Sequence, residues 1–507
     1  MRQLKALREL QEQLGAEVFL VGGTVRDLVR SQEPNDIDVL VRNVEPAAFE
    51  EFLRQKGDLR LVGKSFGVYL FRPKRHKCEI EIAFPRTEVS TGEGHKDFAV
   101  HTDPSLSIRE DSNRRDFTIN ALYLDIRHLH EDGTFDKRAV VDFHNGFDHL
   151  RKRLVVAVGN PEDRIKEDPL RMLRAMVLVA RTGFRLEGNT FGAIKRHSPM
   201  LRAVAFERVR DEFIKIMESE KPSRAFKAMQ RTGLLREVLP ELDECVGCGQ
   251  NPKYHSYPVF EHLIYATDAA CSISPRLDIR LATLCHDLGK APTRQVRPGG
   301  AGPDDVSFHN HEIVSTKLTY AMMKRLRFPR ELTEEVVALV RHHQYKYDRT
   351  WTDKAMRRFI RNVGISKADL EDLNAHPQFL VRQADRMGNE LKAHLPVTQK
   401  QNDFQARIRE VYEKSSAHSL HDLAINGEDL KAALKLEPGP VIGKAIRYLF
   451  DRVEENPDVN TRERLLQLAA DFIQQGARSE EELDGNSAID GGGEVQSEVA
   501  AGQGEGQ

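Results

Sequence analysis

An acidic pair early in the chain has the spacing that metal-dependent chemistry requires. In the segment NDIDVLV, the alternation of a strand places Asp36 and Asp38 on one face and the apolar residues on the other. Two carboxylates about 6–7 Å apart along a strand repel each other unless a cation lies between them. Mg²⁺ takes oxygen ligands and suits this arrangement, particularly with substrate phosphates completing its shell. The pair therefore predicts a magnesium site, and a solvated strand edge is the alternative.

A glycine turn stands just upstream of the acidic pair. The apolar run VFLV ends at Gly22 and Gly23, and the following segment TVRDLVR predicts a helix. Because glycine has no side chain, the amides of this turn and the helix N-terminus can approach a triphosphate closely. The strand EIEIAF places Glu79 and Glu81 on the face opposite its apolar residues. A third carboxylate can thus join the site, and two solvated glutamates are the alternative.

A second group of chemically active residues is rich in histidine. Seven of the 19 histidines lie between His255 and His343. Neutral imidazoles together with carboxylates make a site for a transition metal or Mg²⁺. Just upstream, Cys245 and Cys248 have the spacing of zinc ligands, but no second CxxC or nearby CxxH follows. Two buried thiols are therefore the better interpretation of this pair.

Composition favours a large cytoplasmic protein. The 507 residues suffice for three or four domains of roughly 100–200 residues each. No stretch approaches the ~18 apolar residues of a membrane span, and five sparse cysteines suggest a reducing compartment. The segment from Arg478 onward carries eight acids and one arginine, so the net charge of −2 conceals a charge of +5 on the residues before it. This Gly-, Ser- and Glu-rich tail is predicted to be disordered.

The elements that must position these residues change character along the chain. The first 150 residues mix strand and helix signals, whereas helical periodicity dominates from about Arg164 onward. In DPLRMLRAMVLVARTGF, Asp168 is predicted as the N-cap of a helix with Pro169 at its first position. We therefore predict an α+β protein with a mixed α/β head and all-helical domains after it. The predicted domains are a head over 1–150, a helical neck over 151–240, a histidine-rich domain over 241–395, a helical C-terminal region over 396–476 and a disordered acidic tail over 477–507.

Five ordered motifs within roughly residues 15–235 carry a family resemblance. They are GGTVRD, DID, RRDFTINAL from Arg114 to Leu122, EDPLRMLR from Glu167 to Arg174, and ERVRDE from Glu207 to Glu212. In this order they resemble the bacterial class II tRNA nucleotidyltransferase and poly(A) polymerase family. The resemblance implies a polymerase-β-like head, Mg²⁺ as its cofactor, and CTP, ATP and the 3′ end of tRNA or another RNA as its partners.

The same resemblance assigns roles to residues of the head and neck. It implies that Asp36 and Asp38 bind the metal and that Glu81 is the third acid of the catalytic set. A paired Arg-Arg beside an Asp and an Asn also suits a triphosphate and a sugar hydroxyl, and a surface salt-bridge cluster is the alternative. The implied nucleotide-binding residues are Gly22, Gly23, Arg26, Arg115, Asp116, Asn120, Asp168, Arg171 and Arg174.

Within that set, three residues are expected to recognise the sugar and the base. The resemblance implies that Asp116 contacts the ribose and that Asp168 and Arg171 read the incoming base. An aspartate only accepts hydrogen bonds, whereas an arginine donates several in a fixed fork. At positions i and i+3 of one helix they lie side by side and can match the mixed donor–acceptor edge of cytosine or adenine. A helix cap with an ion pair is the alternative.

The histidine-rich region resembles the HD phosphohydrolase superfamily, and its centre is the adjacent His-Asp of LATLCHDLGK. The resemblance implies a divalent metal such as Mg²⁺, Mn²⁺ or Ni²⁺ and hydrolysis of a phosphoester, and an inactive HD fold is the alternative. The matching positions are His262, His286, Asp287, His311, His343 and Asp385, where the register favours His343 over His342. Further along, Lys435, Lys444 and Arg447 can contact RNA phosphates or form a solvated face.

Together these features predict an enzyme that adds nucleotides to RNA 3′ ends, specifically CCA to tRNA, with an HD domain attached. A poly(A) polymerase, or an enzyme that adds only C or only A, shares the same motifs and stays open. A protein-modifying nucleotidyltransferase with an HD domain would need β-rich sensing domains at the C-terminus, where this chain has helical patterns. A non-catalytic RNA-binding scaffold is disfavoured by the intact acidic residues of the head.

Overall fold

The chain forms two compact units. The computed structural model describes residues 2–34, 36–62, 67–90, 98–297, 305–345, 350–393, 399–414 and 420–487. The first unit comprises Met1–Gln344 and Pro377–His394, and the second comprises Tyr345–His376 and Leu395–Gln507. All the candidate residues of the head, the neck and the histidine-rich domain belong to the first unit.

A seven-stranded mixed sheet is the centre of the head. Its strands are β1 Glu17–Val21, β2 Ile37–Arg42, β3 Gly57–Val62, β4 Val68–Pro73, β5 Ile80–Ala83, β6 Leu122–Asp125 and β7 Val140–Asp142. Their order across the sheet is β3-β4-β5-β2-β1-β6-β7. Only β2 and β5 run parallel to each other among these neighbours.

The register of this sheet decides which strand ends meet. Strand β1 runs antiparallel to β2, with Leu20 opposite Val39, and β5 runs parallel to β2, with Glu81 opposite Asp38. Strands β4 and β6 run antiparallel to β5 and β1, respectively. Consequently the last residues of β1 and β4 and the first residues of β2, β5 and β6 lie at one end of the sheet, which we call the Gly22 end.

The central strands are apolar because both of their faces are covered. Val18 and Leu20 of β1 belong to the main hydrophobic core, whereas Phe19 and Val21 pack on the opposite face with Tyr123. Burial of both faces explains why VFLV is a continuous apolar run rather than an alternating one. The glycine turn therefore follows directly after a strand that is fixed by packing on both faces.

Helices and three short strand pairs form the rest of the first unit where it is described, which confirms the predicted α+β class. The head contains Lys5–Leu14, Gly22–Val29, Pro46–Lys56, Ile108–Asn113 and Gly146–Lys152. The neck contains Pro161–Glu167, Arg171–Thr182, Gly188–His197, Phe206–Met217, Ser223–Thr232, Leu234–Val238 and Pro240–Asp243. The histidine-rich domain contains Val259–Ile273, Leu277–Cys285, Lys290–Thr293, His311–Arg325, Arg330–Arg341, Pro377–Met387 and Glu390–Ala393. Three short strand pairs join Arg86–Ser90 to Phe98–Thr102, Leu154–Val155 to Arg185–Leu186, and Arg294–Arg297 to Asp305–Phe308.

The neck helix that follows Asp168 begins later than predicted. It starts at Arg171, and Asp168 has an extended backbone at the end of the preceding helix Pro161–Glu167. A residue before proline is disfavoured in the helical conformation, so Pro169 forces this break. Asp168 Oδ1 accepts the N–H of Leu170 at 3.1 Å. The Asp168 carbonyl also accepts the N–H of Arg171 at 3.0 Å, so Asp168 makes the contacts of the predicted N-cap, and a tight first turn precedes the regular helix from Arg171.

The second unit is helical where it is described. Its helices are Asp353–Val363, Gln399–Lys414, Gly427–Leu434, Pro440–Glu455 and Arg462–Ser487. The side chains of Lys435, Lys444 and Arg447 are exposed. The predicted tail over 477–507 starts within the last helix, and residues 488–507 lie outside the described residues. No described helix is both long enough and apolar enough to cross a membrane.

Candidate functional site

Three carboxylates meet at the Gly22 end of the sheet. Asp38 lies on β2 directly across from Glu81 on β5, and Asp36 is exposed one residue before β2 begins. Burial raises the pKa of Asp38 to about 6, and Glu81 and Asp36 add to the shift while Arg115 opposes it. Such a group of acids binds a proton or a cation more readily than isolated carboxylates do. These oxygen ligands fit the divalent metal predicted from the sequence.

The glycine turn brings backbone, rather than side chains, next to Asp38. Gly22 has a left-handed φ of +62°, and a Cβ there would lie 3.2 Å from Asp38 Oδ2. The neighbouring Thr24, which is buried, fixes the acidic segment to this turn. Its hydroxyl donates to Asp36 O at 3.1 Å and accepts the N–H of Asp38 at 2.8 Å. Thr24 lies within the GGTVRD motif, but the sequence pattern predicts no role for it.

Two arginines stand beside the turn, and each is fixed by a partner. Arg26 donates to Asn120 Oδ1 at 2.8 Å and pairs with Asp27. Arg115 Nη1 lies 3.6 Å from the position of a Cβ on Gly22. Arg26 and Arg115 therefore both lie beside the glycine turn, with Asn120 bonded to Arg26, and two guanidinium groups there suit the charge of a triphosphate.

A buried aspartate and tyrosine hold Arg115 in place. Arg115 Nε donates to Asp111 Oδ2 at 3.0 Å and to the Tyr123 hydroxyl at 2.7 Å. That hydroxyl in turn donates to Asp111 Oδ2 at 2.6 Å. Burial opposes ionisation of Asp111, but Arg115 and Arg114 outweigh it and hold the pKa at about 2. Sequence patterns did not indicate this network, because Tyr123 looks like an ordinary residue of a buried strand.

The residue expected to contact the ribose is linked to the neck. Asp116 is buried, and its Oδ1 accepts the N–H of Phe117 at 2.7 Å. Its Oδ2 lies 2.7 Å from Arg174 Nη2. Arg174 is thus a partner of Asp116, whereas the sequence only suggested that it continues the face of Arg171.

The two residues expected to read the base are both held by further contacts. Arg171 Nη1 donates to Glu167 Oε2 at 2.7 Å, and Nη2 donates to the carbonyl of Arg114 at 3.2 Å. Arg208 Nη2 donates to Asp168 Oδ2 at 3.0 Å. A carboxylate offers about four acceptor positions, so Asp168 can still accept a bond from a base. Arg208 belongs to the ERVRDE motif, but no role was predicted for it.

The histidine-rich domain places its six predicted ligands in two adjacent groups of three. Ligand atoms within each group lie within 4.8 Å of one another; the groups are His262, His286 and Asp385, and Asp287, His311 and His343. Asp287 faces both groups, because its Oδ2 is 3.3 Å from His286 Nε2 and its Oδ1 is 3.2 Å from His311 Nε2. Only Asp385 among the six has an appreciably exposed side chain, at 29%.

Backbone carbonyls orient three of these imidazoles. The Nδ1 atoms of His286, His311 and His343 lie 2.7–2.8 Å from the carbonyls of Thr283, Phe308 and Val340. A carbonyl can only accept, so each Nδ1 carries a proton and each Nε2 faces the cluster. Metal-binding histidines are commonly oriented in this way. His343 makes this contact inside the cluster, as the register predicted.

A lysine also enters the cluster. Lys290 Nζ lies 2.6 Å from Asp287 Oδ2 and donates to Gln250 Oε1 at 2.7 Å. Burial lowers the pKa of His286, but Asp287 and Asp385 outweigh it and raise that pKa to about 10. Lys290 stands in the quoted HDLGK segment without a predicted role. Within the described residues, neither candidate metal group includes a cysteine; Cys245 is a buried free thiol and Cys248 is partly buried.

Comparisons with known proteins agree with this architecture. A family described as "Poly A polymerase head domain" matches residues 18–156, a polymerase A RNA-binding family matches residues 183–246, and a tRNA nucleotidyltransferase domain 2 family matches residues 313–469. The chain is 31% identical over 456 residues to a CC-adding tRNA nucleotidyltransferase from Thermus thermophilus, covering 88% of this chain and 92% of that protein. It is 33% identical over 331 residues to a multifunctional CCA protein from Methylobacillus flagellatus, covering 64% of this chain and 73% of that protein. The crystal structure of a Bacillus stearothermophilus CCA-adding enzyme with CTP has a similar fold, with a TM-score of 0.60 and 21% sequence identity. The match covers 94% of this chain and 98% of that enzyme.

Proposed function

The chain belongs to the tRNA nucleotidyltransferase family, and we propose that it adds C, C and A to the 3′ end of tRNA from CTP and ATP. It is a nucleotidyltransferase with an RNA 3′ end as acceptor. The observation that carries the proposal is the meeting of Asp36, Asp38 and Glu81 with the glycine turn at one end of the sheet. Because tRNA is its substrate, we further propose a cytoplasmic location.

The reaction joins the RNA 3′-oxygen to the α-phosphorus of the nucleotide and breaks the bond to pyrophosphate. Asp36 and Asp38 would hold Mg²⁺, which lowers the pKa of the attacking hydroxyl and neutralises charge on the phosphates when it is bound. Arg115 and Arg26 hold the triphosphate against the glycine turn. We propose that Glu81, opposite Asp38, accepts the proton of the 3′-hydroxyl.

One substitution and a matched control test the head. Asp38→Asn should abolish incorporation of both CMP and AMP, because it removes a metal ligand without changing side-chain volume. Glu79→Gln is the control, since Glu79 lies on the same strand end but is bound by Arg60 and Arg72. Near wild-type incorporation by Asp38→Asn would refute the assignment. Circular dichroism of both variants checks that the fold is intact.

The products distinguish complete CCA addition from its alternatives. Relatives named for CC addition and for CCA addition both resemble this chain. tRNA that lacks its terminal nucleotides should be extended by two residues with CTP alone and by three with CTP and ATP together. Extension that stops at CC with both nucleotides would identify a CC-adding enzyme, and a long A tail would identify a poly(A) polymerase.

A second activity is supported by the histidine cluster. We propose that it hydrolyses a phosphoester and that its two groups of ligands would hold two divalent metals such as Mg²⁺, Mn²⁺ or Ni²⁺. Two sets of ligands that share one carboxylate fit a pair of ions better than a single ion. The four histidines and the two aspartates supply six convergent ligands, and Lys290 can contact a phosphate oxygen.

A damaged tRNA end is the substrate class that we propose for this cluster. Such ends carry a 2′,3′-cyclic phosphate, which blocks extension by the head. Water adds to the phosphorus, one P–O bond breaks, and a phosphate monoester with a free hydroxyl results. A further hydrolysis would release phosphate and leave the 3′-hydroxyl that the head requires.

Metal content and hydrolysis together test this second activity. The purified protein should be loaded with Mn²⁺ and its metal content measured by elemental analysis. The Asp38→Asn variant, which loses the metal of the head, should still contain about two ions per chain, bound in the histidine cluster. His286→Ala should lower that content and remove hydrolysis but retain nucleotide addition. His342→Ala is the matched control, because this neighbour lies outside both groups. An unchanged metal content in His286→Ala would refute the site.

A further inference from the structure

A basic turn projects from the head beside the catalytic carboxylates. Residues 74–77 have the sequence KRHK, and all four side chains are exposed. The turn joins β4 to β5, and Ile80 at the start of β5 pairs with Ile37 at the start of β2. At about 3.3 Å per residue, residues 74–77 can reach roughly 10 Å beyond the strand ends. They therefore project from the Gly22 end, where Asp36 and Asp38 also lie.

The positive charge of this turn is not neutralised by its neighbours. The nearest acid in sequence, Glu79, is bound instead by Arg72 at 2.6 Å and by Arg60. Across the described ranges, no carboxylate lies within 4.0 Å of a basic nitrogen of residues 74–77. Three permanent cations within four residues repel one another, so a bound polyanion would relieve that repulsion.

The backbone of the turn is ordered and unusual for its sequence. Lys74 N–H donates to the carbonyl of Lys56 at 3.0 Å, and His76 N–H donates to the carbonyl of Pro73 at 3.1 Å. Arg75 has a left-handed φ of +67°. Glycine adopts this conformation more easily than any residue with a Cβ. The two hydrogen bonds give the turn a defined backbone conformation next to the strand ends.

We propose that this basic turn, residues 74–77, binds the phosphates of the RNA substrate next to its 3′ end. The inference rests on the proposed nucleotidyltransferase function. Two anions must reach the Gly22 end during the reaction, and the glycine turn with Arg26 and Arg115 accounts for the triphosphate. The RNA strand must bring its 3′-hydroxyl to Asp36 and Asp38. Its preceding phosphates then come within reach of the basic turn.

A triple substitution tests the proposal in the full-length protein. Lys74→Gln, Arg75→Gln and Lys77→Gln together should raise KM for tRNA on the order of tenfold at low salt. The KM for CTP and kcat at saturating tRNA should stay unchanged. The slope of log affinity for RNA against log salt concentration should fall by about 2, since each lost phosphate contact contributes roughly 0.7.

The chain offers a control at the other end of the same sheet. Strand β7 runs antiparallel to β6, with Asp142 opposite Leu122 at the Gly22 end, so the exposed Lys137 and Arg138 lie at the far end. Lys137→Gln with Arg138→Gln should leave KM for tRNA and the salt slope unchanged. An equal effect of both sets of substitutions would show a general effect of charge and overturn the proposal.

Arg75→Gly separates RNA binding from stability. It removes a charge and relieves the left-handed backbone, so the melting temperature should rise or stay unchanged while KM for tRNA rises. Direct binding of fluorescently labelled tRNA keeps the two proposals distinguishable. Unchanged RNA affinity and salt slope in the triple variant would overturn the basic-turn proposal alone. Failure of the wild-type protein to add nucleotides would instead overturn the proposed function, while the RNA affinities remain measurable.

Discussion

Replacing Asp168 by alanine should weaken the choice between nucleotides more than it weakens catalysis. Cytosine and adenine present an amino donor where uracil and guanine present an acceptor oxygen. Asp168 can accept from the amino group, whereas it repels a carbonyl oxygen. The alanine variant should therefore admit UTP and GTP in competition with CTP and ATP.

The structure gives the scale of this effect and a graded series of variants. A hydrogen bond to a charged group contributes about 1.5–3 kcal/mol, which corresponds to roughly tenfold to a hundredfold in selectivity. Arg208 forms an ion pair with Asp168, and the Arg208 side chain is 47% exposed. An ion pair exposed to that extent contributes only about 0.2–1 kcal/mol, so Arg208→Ala should lower selectivity by a few-fold. Arg210→Ala should have no effect, because Arg210 on the same helix contacts Asp211 and the carbonyl of Arg327.

The assay is the ratio of kcat/KM for CTP to that for UTP, measured for all three variants on the same tRNA. The predicted order of lost selectivity is Asp168→Ala, then Arg208→Ala, then no change in Arg210→Ala. An Asp168→Ala enzyme with the wild-type ratio would refute base reading by this carboxylate. Its contact with the Leu170 N–H would then be its whole role.

Three further predictions concern the head. Gly22→Ala should lower the Mg²⁺-dependent rate more than Gly23→Ala does. Gly22 has a left-handed φ and its Cβ would press on Asp38, whereas the Cβ of Gly23 would meet the flexible end of Arg26 at 3.4 Å. Equal rates of the two variants in a Mg²⁺ titration would contradict this prediction. Tyr123→Phe should raise KM for CTP about fivefold through one lost buried hydrogen bond to Arg115, and steady-state kinetics with an unchanged KM would argue against positioning of Arg115 by Tyr123. Because its pKa is lowered in the folded protein, Asp111 contributes on the order of 2 kcal/mol to the free energy of unfolding at pH values above about 3.9, its pKa in the unfolded chain. This contribution is lost as the pH falls towards about 2. Between about pH 5 and pH 2.5, urea unfolding should therefore show a smaller loss of unfolding free energy for Asp111→Asn than for the wild type.

Local patterns were sufficient for the parts of the site that depend on one element. The two-residue period of a strand predicts that Asp38 and Glu81 each lie on the polar face of their strand. The glycine pair marks the turn between β1 and the helix that follows it. Both follow from backbone geometry, which repeats every two residues in a strand. Asp168 makes the N-cap contacts that the pattern predicts, but the regular helix begins only at Arg171, after a tight turn through Pro169. The family motifs supplied the assignments that neither period nor propensity can give.

Only the tertiary structure decided which of these residues meet. Glu81 faces Asp38 because β5 pairs in parallel with β2, and no local pattern specifies strand order or register between distant segments. The six ligands of the histidine-rich domain divide into two groups because three helices and the turns after two other helices bring them together from positions up to more than 100 residues apart. Partners such as Arg208, Asp111 and Tyr123 were invisible in the sequence for the same reason: their roles come from hydrogen bonds between separate elements. A sequence determines the chemistry that each residue can perform, and long-range packing determines which residues perform it together.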